Sequence, residues 1–551
     1  MTKPWLRHWP EGVPQTVVYP EIPLPDLLST AARKYPCNTA TIFFEKSTTY
    51  RELNDLSNRF AFSLTNLGVK KGDRVALLLP NIPQFLICYY GAMRAGAVVV
   101  PCSPLYKERE LEFQLNDSKA ETIVTLDSLY GVVASVQERT RLRNVITTAL
   151  LGFATDLPEA STGSKTKDVL PLDTVSLTDL LRGNAELPPK IAIDSKRDPA
   201  LLQYTGGTTG IPKAAILTHH NLVVNAVQFG SWLPAFRDGC EVVLAALPLF
   251  HIFGMTVAMN MPILKAETIV LVPKFETRDV LKMIQNHAAT FFPGVPTMYI
   301  AVINDPHAAQ FNLQTVRLCI SGGAPLPVEV MRKLKSLIGG RLVEGYGLTE
   351  ASPVTHCNPV DRPEKVRAGS IGIPLPDTEA RIVDIETGEH DLPVDENGEL
   401  IVRGPQVMAG YWNQPEETRL VLRHGWLYTG DIAKMDEDGY FFIVDRKKDM
   451  INVSGLKVWP REVEEVLYEY PAVKEAAVIG VADPYRGEAV KACIVLKEGF
   501  RGRASAEEIT QFCKDKIAGF KVPTQVEFVE DLPKTSAGKV LKRALNLESR
   551  R

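Results

Sequence analysis

The sequence predicts an α/β fold with a large N-terminal domain and a small, mobile α+β C-terminal domain. Short apolar runs such as Val98–Pro101 and Leu318–Ser321 alternate with helical patterns such as Thr277–Asn286. That alternation is typical of α/β subdomains with largely parallel sheets. Around Ala380–Arg403 the apolar runs shorten and glycine turns separate them, which predicts a β-rich subdomain within the large domain.

Each predicted element rests on its own pattern. Apolar, β-branched runs of strand length predict the strands Arg74–Leu79, Val98–Pro101, Thr122–Thr125, Glu241–Ala246, Thr268–Val272 and Leu318–Ser321. Longer patterns between them predict the helices Ile82–Ala95, Thr277–Asn286 and Val328–Ile338. After these elements, the sequence predicts a helix that opens at Pro460 and strands at Ala476–Val481 and Ala492–Leu496.

The charged run from Asp445 to Asp449 marks the predicted domain boundary. It separates a β-rich stretch from a unit in which strands and helices start again. We therefore expect residues 1–445 to form the N-terminal domain and residues 446–551 to form the C-terminal domain. A unit of about 100 residues is long enough to fold independently.

Composition excludes several classes of protein. The chain has 551 residues, and its 62 basic and 65 acidic side chains are interspersed, so no nucleic-acid surface is indicated. Eight cysteines are scattered without a CxxC pair, which argues against a disulfide framework or a zinc site. With no apolar signal core near the N-terminus, these patterns predict a cytoplasmic protein without a nucleic-acid partner.

One uncharged stretch, Val242–Leu264, is long enough to imitate a membrane span. However, Pro248, His251, Asn260 and Pro262 interrupt it. Two buried elements joined by a turn fit this pattern better than one spanning helix. We therefore expect the stretch to lie in the protein interior.

The most informative motif is the Gly/Thr-rich run that follows the apolar pair Leu201-Leu202. Glycines let backbone N–H groups turn toward an anion, threonines add hydroxyl donors, and a lysine adds a positive charge. The run therefore predicts a polyphosphate-binding loop, although a tight connection is the simpler alternative. It is not a Walker A loop, because Pro212 precedes the lysine and no Gly-Lys-Ser/Thr ends it. The candidate phosphate contacts are Thr205, Gly206, Gly207, Thr208, Thr209, Gly210 and Lys213.

Six further motifs follow in order: Pro248–Gly254, Ser321–Pro325, Gly345–Glu350, Tyr428–Asp431, Asp445-Arg446 and Pro533–Lys539. Together with the loop, they resemble the adenylate-forming superfamily of acyl-CoA synthetases, aryl-CoA ligases, luciferases and adenylation domains, most closely the medium- to long-chain fatty acyl-CoA synthetases. The resemblance covers nearly the whole chain. It implies a ligase that uses ATP, Mg²⁺ and coenzyme A, with an ATP- and acyl-binding domain before a domain that carries a catalytic lysine.

For the first half-reaction, the resemblance implies catalytic roles for Lys539, Glu350, Thr349 and His251. Lys539 would stabilise the charge that develops when a carboxylate attacks the α-phosphate. Glu350 would be a magnesium ligand, since Mg²⁺ takes one or two carboxylates, and Thr349 would donate to the α-phosphate. Taken alone, Glu350 also reads as an ordinary acid near a helix N-terminus, and His251 as a core histidine rather than a gate.

The resemblance implies three kinds of nucleotide contact: an aromatic ring that stacks on adenine, small residues that let the nucleotide approach the backbone, and polar side chains that bind the ribose. Tyr346 would stack on adenine, although a core tyrosine is the plain alternative. Asp431 would accept hydrogen bonds from the ribose hydroxyls beside Arg446. The residues that let the nucleotide approach the backbone would be Gly322, Gly323, Ala324, Gly345 and Gly347.

For the second half-reaction, relatives rotate the C-terminal domain and present a thiol channel. Lys448 matches the hinge position, although it also reads as a surface charge, and Ser454-Gly455 would face the pantetheine thiol. Plant-type aryl-CoA ligases have lysines where this chain has Asn452 and Ser454. The contacts to the CoA nucleotide are therefore left open.

The expected substrate is a medium- to long-chain fatty acid. No aspartate in Leu247–Gly254 is available for an amino-acid ammonium, and Gly347 stands where acetate-specific relatives place a tryptophan. Segments that line the pocket in the family, His251–Pro262 and Phe291–Ile300, are apolar. Each buried methylene contributes ~0.8 kcal/mol, so such a lining favours a long alkyl chain.

Alternatives remain at this point. An acyl-AMP ligase that loads a carrier protein, an aryl-acid ligase or a luciferase-like enzyme would share the first half-reaction. A non-catalytic acyl- or nucleotide-binding protein would be expected to lack Lys539, Glu350 or Lys213, and all three are present. No basic amphipathic anchor is visible, so peripheral membrane contact stays open, as does the oligomeric state.

Overall fold

A computed structural model gives the fold, and it describes residues 3–152, 174–182, 188–205, 212–454, 456–483, 485–534, 540–542 and 544–545. Within these ranges, the strands are β1 (Thr39–Phe43), β2 (Lys46–Thr49), β3 (Arg74–Leu78), β4 (Val98–Pro101), β5 (Thr122–Leu126), β6 (Asn144–Thr148), β7 (Thr174–Ser176), β8 (Pro199–Thr205), β9 (Lys213–Thr218), β10 (Val242–Ala245), β11 (Thr268–Leu271), β12 (Phe291–Gly294), β13 (Leu318–Ser321), β14 (Arg341–Gly347), β15 (Val354–Cys357), β16 (Ile373–Pro374), β17 (Glu379–Val383), β18 (Gly398–Arg403), β19 (Gly410–Tyr411), β20 (Leu422–Arg423), β21 (Trp426–Met435), β22 (Phe441–Arg446), β23 (Ile451–Val453), β24 (Leu456–Val458), β25 (Val473–Asp483), β26 (Gly487–Leu496) and β27 (Gln525–Phe528). The α-helices are α1 (Asp26–Lys34), α2 (Tyr50–Asn66), α3 (Pro83–Arg94), α4 (Glu108–Ser118), α5 (Tyr130–Gln137), α6 (Leu177–Arg182), α7 (His219–Ser231), α8 (Ile252–Met255), α9 (Met261–Leu264), α10 (Thr277–His287), α11 (Pro296–Asn304), α12 (Val328–Lys335), α13 (Pro415–Val421), α14 (Pro460–Glu469) and α15 (Ala506–Lys514).

Two mixed sheets form the body of the N-terminal part. One has the strand order β19-β9-β8-β4-β3-β5-β6-β7, and the other has the order β16-β15-β14-β13-β12-β10-β11-β1-β2. Their central strands pair in parallel, as in β3 with β4 and β12 with β13. One large core contains buried residues of β3, β10, α2, α3 and α7, so it joins the two sheets through the helices. The predicted α/β architecture is confirmed.

The uncharged stretch Val242–Leu264 folds as strand β10 followed by a helical run. That run consists of α8, a π-helical turn at Thr256–Asn260, and α9. Asn260 is fully buried, and its side chain bonds with Tyr89 and Tyr90. The expectation of two buried elements is confirmed, and among the described residues no helix is long and apolar enough to cross a membrane.

Two smaller sheets follow. The first has the order β17-β18-β21-β20, with β22 paired to β21, and is the predicted β-rich subdomain. The last has the order β24-β23-β26-β25, with β27 paired to β26. Residues of this last sheet, α14 and α15 pack into a hydrophobic core of their own. The smaller C-terminal unit therefore has an α+β architecture, as predicted.

Most predicted elements agree with the structure, and the differences have local causes. Helix α12 ends at Lys335 rather than at the predicted Ile338, because Ser336 N already donates to Lys333 O in a tighter turn. Strands β25 and β26 extend well beyond the predicted runs. They pair with each other from Val473 to Asp483, and this pairing stabilises ends that carry charged residues.

Candidate active site

The Gly/Thr-rich run joins the ends of two antiparallel strands. Thr205 ends β8, Lys213 begins β9, and the two residues are register partners. The Thr205 hydroxyl lies 3.4 Å from the Lys213 carbonyl oxygen. Gly206, Gly207, Thr208, Thr209 and Gly210 lie outside the described residues.

The Lys213 ammonium sits among polar groups of a later segment. It forms an ion pair with Glu417 of α13, and its side chain is only 12% exposed. The ammonium also lies 5.5 Å from the centre of the Tyr411 ring, within the range of a cation–π contact. Strand β19 carries Tyr411 and pairs with β9, which places the ring beside the lysine.

Glu350 belongs to the same group of side chains. It lies with Thr349 on a single 3₁₀ turn that follows β14. The Tyr411 hydroxyl donates to Glu350 Oε1 at 2.6 Å, and Met408 N donates to the Glu350 carbonyl oxygen at 2.8 Å. Burial and the adjacent Glu350 carboxylate raise the pKa of Tyr411, so the phenol keeps its proton and remains a donor. Lys213, Glu350, Tyr411 and Glu417 are called the lysine cluster below.

A second group, the aspartate cluster, consists of Tyr346, Asp431 and Arg446. The Tyr346 hydroxyl donates to Asp431 Oδ2 at 2.5 Å, and Arg446 Nε lies 2.6 Å from Asp431 Oδ1. Asp431 and Arg446 are register partners on β21 and β22, while Tyr346 comes from β14. The Asp431 carboxylate raises the pKa of Arg446, and burial followed by the same carboxylate raises that of Tyr346.

The charges of the two clusters act on each other. After Asp431 and Tyr346, the Glu350 carboxylate is the next group that raises the pKa of Arg446. Both clusters therefore share one electrostatic environment, in which the carboxylates of Glu350, Glu417 and Asp431 stand among a guanidinium and an ammonium. Such a site can meet an anionic ligand with cations that are already held in place.

Gly322 and Gly347 mark close approaches beside Tyr346. A Cβ on Gly322 would lie 3.0 Å from the Phe253 ring and 3.5 Å from the Gly345 carbonyl oxygen. A Cβ on Gly347 would lie 2.2 Å from the Pro353 carbonyl oxygen, so the turn between β14 and β15 needs glycine there. Gly323, with φ at +78°, and the half-buried Ala324 lie in the loop that leaves β13.

His251 stands at the start of α8, one residue before the helix. Its Nδ1 accepts a hydrogen bond from Phe253 N at 3.3 Å, which caps the helix. The Phe253 side chain in turn packs against Gly322. His251 is therefore linked through Phe253 to the loop after β13.

The candidate residues of the C-terminal part lie on short turns. Lys448 is in a 3₁₀ turn, Lys447–Asp449, between β22 and β23. Ser454 directly follows β23 with φ at +53°, and its N–H donates to the Arg486 carbonyl oxygen at 2.8 Å. This bond ties Ser454 to its own domain rather than to either cluster. Gly455 and Lys539 lie outside the described residues.

Comparison with known proteins identifies the family. Residues 28–412 match the AMP-binding enzyme family, and residues 462–539 match the AMP-binding enzyme C-terminal domain. The chain belongs to the AMP-binding enzyme family.

Relatives in this family resemble the chain over its full length. It is 44% identical to a long-chain-fatty-acid–CoA ligase of Bacillus subtilis, covering 98% of this chain and 97% of the relative. It is 39% identical to a long-chain-fatty-acid–CoA ligase of Yersinia pestis, covering 100% of this chain and 98% of the relative. The crystal structure of ATP-bound MatB from Rhodopseudomonas palustris matches with a TM-score of 0.84 at 30% identity, covering 96% of this chain and 99% of MatB.

In this member of the AMP-binding enzyme family, two site residues were missed by sequence reasoning. Tyr411 and Glu417 lie in the run Gly410–Thr418, which carries no glycine-rich loop, and its adjacent acids Glu416 and Glu417 are of the kind that is common in the first turn of a helix. Their contacts depend on strand β19 joining the edge of the sheet next to β9. The one signal available was a Gly-Tyr-Trp run before a helix with Pro at its first turn.

A third missed residue, Glu344, interacts electrostatically with Arg461 of the C-terminal domain. It lies on β14 two residues before Tyr346, is 3% exposed, and accepts a bond from Leu326 N at 3.4 Å. Burial raises the pKa of Glu344 to about 7, while Arg461 on α14 opposes that rise. Arg461 N itself donates to Asp445 Oδ2 at 2.8 Å, which fixes the first turn of α14 against the end of β22.

Proposed function

We propose that this chain activates a long-chain fatty acid with ATP to form acyl-AMP and then transfers the acyl group to coenzyme A. AMP and pyrophosphate are released. The observation that carries the proposal is the 44% identity, over 98% of the chain, to a protein named long-chain-fatty-acid–CoA ligase. The two clusters support it, because they bring together cations and hydrogen-bonding groups suited to a nucleotide.

The aspartate cluster is the proposed nucleoside site. Tyr346 offers a ring face for adenine, and the loop Gly322–Ala324 together with Gly345 lets the base come close to the backbone. Asp431 would accept hydrogen bonds from the ribose hydroxyls, and Arg446 would hold that carboxylate in place. Both side chains are bonded to each other already, so little reorganisation is needed on binding.

The lysine cluster is the proposed phosphate site. Lys213, with the loop from Thr205 to Gly210, would contact the β- and γ-phosphates, which leave as pyrophosphate. Glu350 suits a magnesium ligand, because Tyr411 occupies only one of its carboxylate oxygens and the other can ligate a cation. Bound Mg²⁺ would neutralise phosphate charge there. Thr349, on the same turn, would donate its hydroxyl to the α-phosphate.

The acyl chain would lie along the apolar residues that follow His251. Met255, Val257, Met259 and Met261 are all buried in the helical run after His251. Methionine side chains adapt to irregular ligands, which suits alkyl chains of different length. His251 would contact the carboxyl end of the substrate.

The C-terminal domain, proposed to begin after Asp445, would serve the two half-reactions in turn. Lys539 would stabilise the charge on the reacting carboxylate and α-phosphate during adenylation. Lys448 would act as the hinge, and the turn Ser454-Gly455 would face the pantetheine thiol in the second half-reaction. A cytoplasmic location stays a prediction from the cysteine pattern.

The decisive experiment measures AMP and pyrophosphate release from Mg-ATP with acetate, octanoate, palmitate and benzoate, each with and without coenzyme A. The proposed function requires turnover that depends on coenzyme A and is highest with palmitate. Adenylation that ignores coenzyme A would point to a carrier-protein ligase, and preference for benzoate would point to an aryl-acid ligase. No adenylation with any acid would contradict the proposal.

A further inference from the structure

The ammonium of Lys213 is already paired with a carboxylate. Glu417 forms this ion pair, and its side chain is 36% exposed against 12% for Lys213. A pair at the surface contributes little to stability, but one with a largely buried cation is less screened by water. A phosphate oxygen that binds this ammonium would therefore meet the Glu417 carboxylate.

The pairing is set by the fold rather than by a loosely placed surface chain. Glu417 is in the first turn of α13, and that turn is tied to β19 through Thr418, whose hydroxyl accepts from Tyr411 N at 2.8 Å. The same hydroxyl donates to the Gln414 carbonyl oxygen at 2.9 Å. A Cβ on Gly410 would lie 2.9 Å from Thr418, so the strand and the helix are in close contact.

Strand β19 then fixes the position of α13 relative to the lysine. Tyr411 is the register partner of Ala215, and Gly410 is that of Ile216, both on β9. Because Lys213 begins β9, one continuous set of backbone contacts joins the lysine to the helix that carries Glu417. The neighbouring Glu416 faces Arg419 instead, with a side chain 80% exposed.

A carboxylate fixed at this position has two opposite effects on the Lys213 site. It satisfies the Lys213 ammonium when no phosphate is present, which keeps the long side chain ordered. It also repels a phosphate group that approaches the same ammonium. Pyrophosphate, which retains its charge after it has left the nucleotide, would have to compete with Glu417 for that cation.

We propose that Glu417 is a positioning residue that keeps the Lys213 side chain ordered when no phosphate is bound and competes with bound phosphate groups for its ammonium, so that the product pyrophosphate is held less tightly. The inference rests on the proposed function, since it takes Lys213 as a phosphate contact. Beyond that function, it assigns to Glu417 the role of weakening the binding of pyrophosphate, the product of the first half-reaction.

The test is binding of inorganic pyrophosphate with Mg²⁺ to the full chain, measured by calorimetry. Glu417→Gln removes the negative charge and keeps the size of the side chain. We expect it to bind pyrophosphate about tenfold tighter than wild type, equivalent to ~1.4 kcal/mol. The matched control is Glu416→Gln, which makes the same change one residue away and should leave binding unchanged.

A double variant separates competition from a structural effect. In a Lys213→Ala background, Glu417→Gln should alter pyrophosphate binding by less than about twofold, since the shared ammonium is gone. Glu417→Asp keeps the charge and should stay close to wild type. If the glutamine variant does not fold, Glu417→Ala takes its place, because it also removes the charge and should likewise bind pyrophosphate tighter than wild type.

Two results would overturn the inference while leaving the proposed function intact. One is wild type that binds Mg-ATP and pyrophosphate while Glu417→Gln binds pyrophosphate no tighter. The other is an equal effect of Glu417→Gln with and without Lys213. Wild type that binds neither ligand would overturn the proposed function, and this inference with it.

Discussion

The aspartate cluster and the C-terminal domain hold their charged groups in different ways. Tyr346, Asp431 and Arg446 come from three strands and are bonded to one another at 2.5 and 2.6 Å. In the C-terminal domain, Lys534 pairs with Glu475 at 2.7 Å and Lys542 pairs with Glu464 at 2.8 Å, all within the domain. The first arrangement links distant segments around one site, while the second keeps each lysine on its own surface.

This difference suggests a division of work. The groups proposed to bind the nucleotide are bonded to one another without it, which would lower the reorganisation needed during reaction. Lys534 and Lys542 have their carboxylate partners within the C-terminal domain, so a change of domain position would leave those two pairs intact. Arg461 differs, because it also bonds to Asp445 and to the Ile443 carbonyl oxygen on β22. The predictions below test this division, beginning with the variant expected to have the largest effect.

Lys539→Ala should lower acyl-AMP formation by about 100-fold or more, because it removes a cation from the developing charge. Thioester formation from supplied acyl-AMP should remain close to wild type. Pyrophosphate exchange measures the first half-reaction and thioester release the second. Lys534→Ala is the control, since Lys534 is already paired with Glu475. Equal losses in both half-reactions would contradict the role proposed for Lys539.

Asp431→Asn should lower kcat/KM for ATP by about 10- to 100-fold, because both Tyr346 and Arg446 lose a charged partner. The KM for the fatty acid should change little. Asp395→Asn is a suitable control, as Asp395 pairs with exposed Lys434 elsewhere on the β-rich subdomain. An unchanged kcat/KM for ATP would mean that the aspartate cluster does not bind the nucleotide.

Glu344→Gln should have the smallest effect, and it should appear only in the pH dependence of stability. The folded pKa of Glu344, about 7, lies above the ordinary value of 4.5. Stability from its proton is therefore complete below about pH 4.5 and is lost as pH rises through about 7. The free energy of unfolding of wild type should fall by about 3 kcal/mol relative to Glu344→Gln over that interval.

Urea unfolding at several pH values measures this difference. The exposed Glu329, paired with Arg332 on α12, supplies the control Glu329→Gln, which should follow wild type at each pH. Parallel curves for wild type and Glu344→Gln would show that Glu344 titrates in its ordinary range. That result would also remove the reason to see β14 and α14 as electrostatically linked.

The sequence alone correctly predicted the strands that have a continuous apolar run of their own. Strands β4 and β13 match the predicted Val98–Pro101 and Leu318–Ser321 residue for residue, because uninterrupted apolar runs suit strands buried on both faces. Strands β25 and β26 were predicted too short, because their outer pairs, such as Ala482 with Glu488, depend on the partner strand. Pairing of that kind leaves no apolar pattern in the sequence.

For the site, the order of the motifs identified several residues, whereas partners that are distant in the sequence could not be identified. Tyr346, Glu350 and Asp431 were selected from motifs, and the structure brings them into the two clusters, while their chemical roles stay predictions. Tyr411 is 61 residues from Glu350, and Glu417 is 204 residues from Lys213. Neither spacing has a local signature, so these partners could be found only after the strands were assembled.

The tight turn at Gly347 has a practical consequence for redesign of the enzyme. A side chain there would meet the Pro353 carbonyl oxygen at 2.2 Å, so a bulky substitution would shift the β14–β15 hairpin along with Tyr346. Variants with a bulky residue at position 347, made to select shorter acids, would then bind the nucleotide more weakly as well as accept fewer chain lengths. Retuning selectivity is better directed at Met255 and Met259, which are fully buried in the helical run after His251.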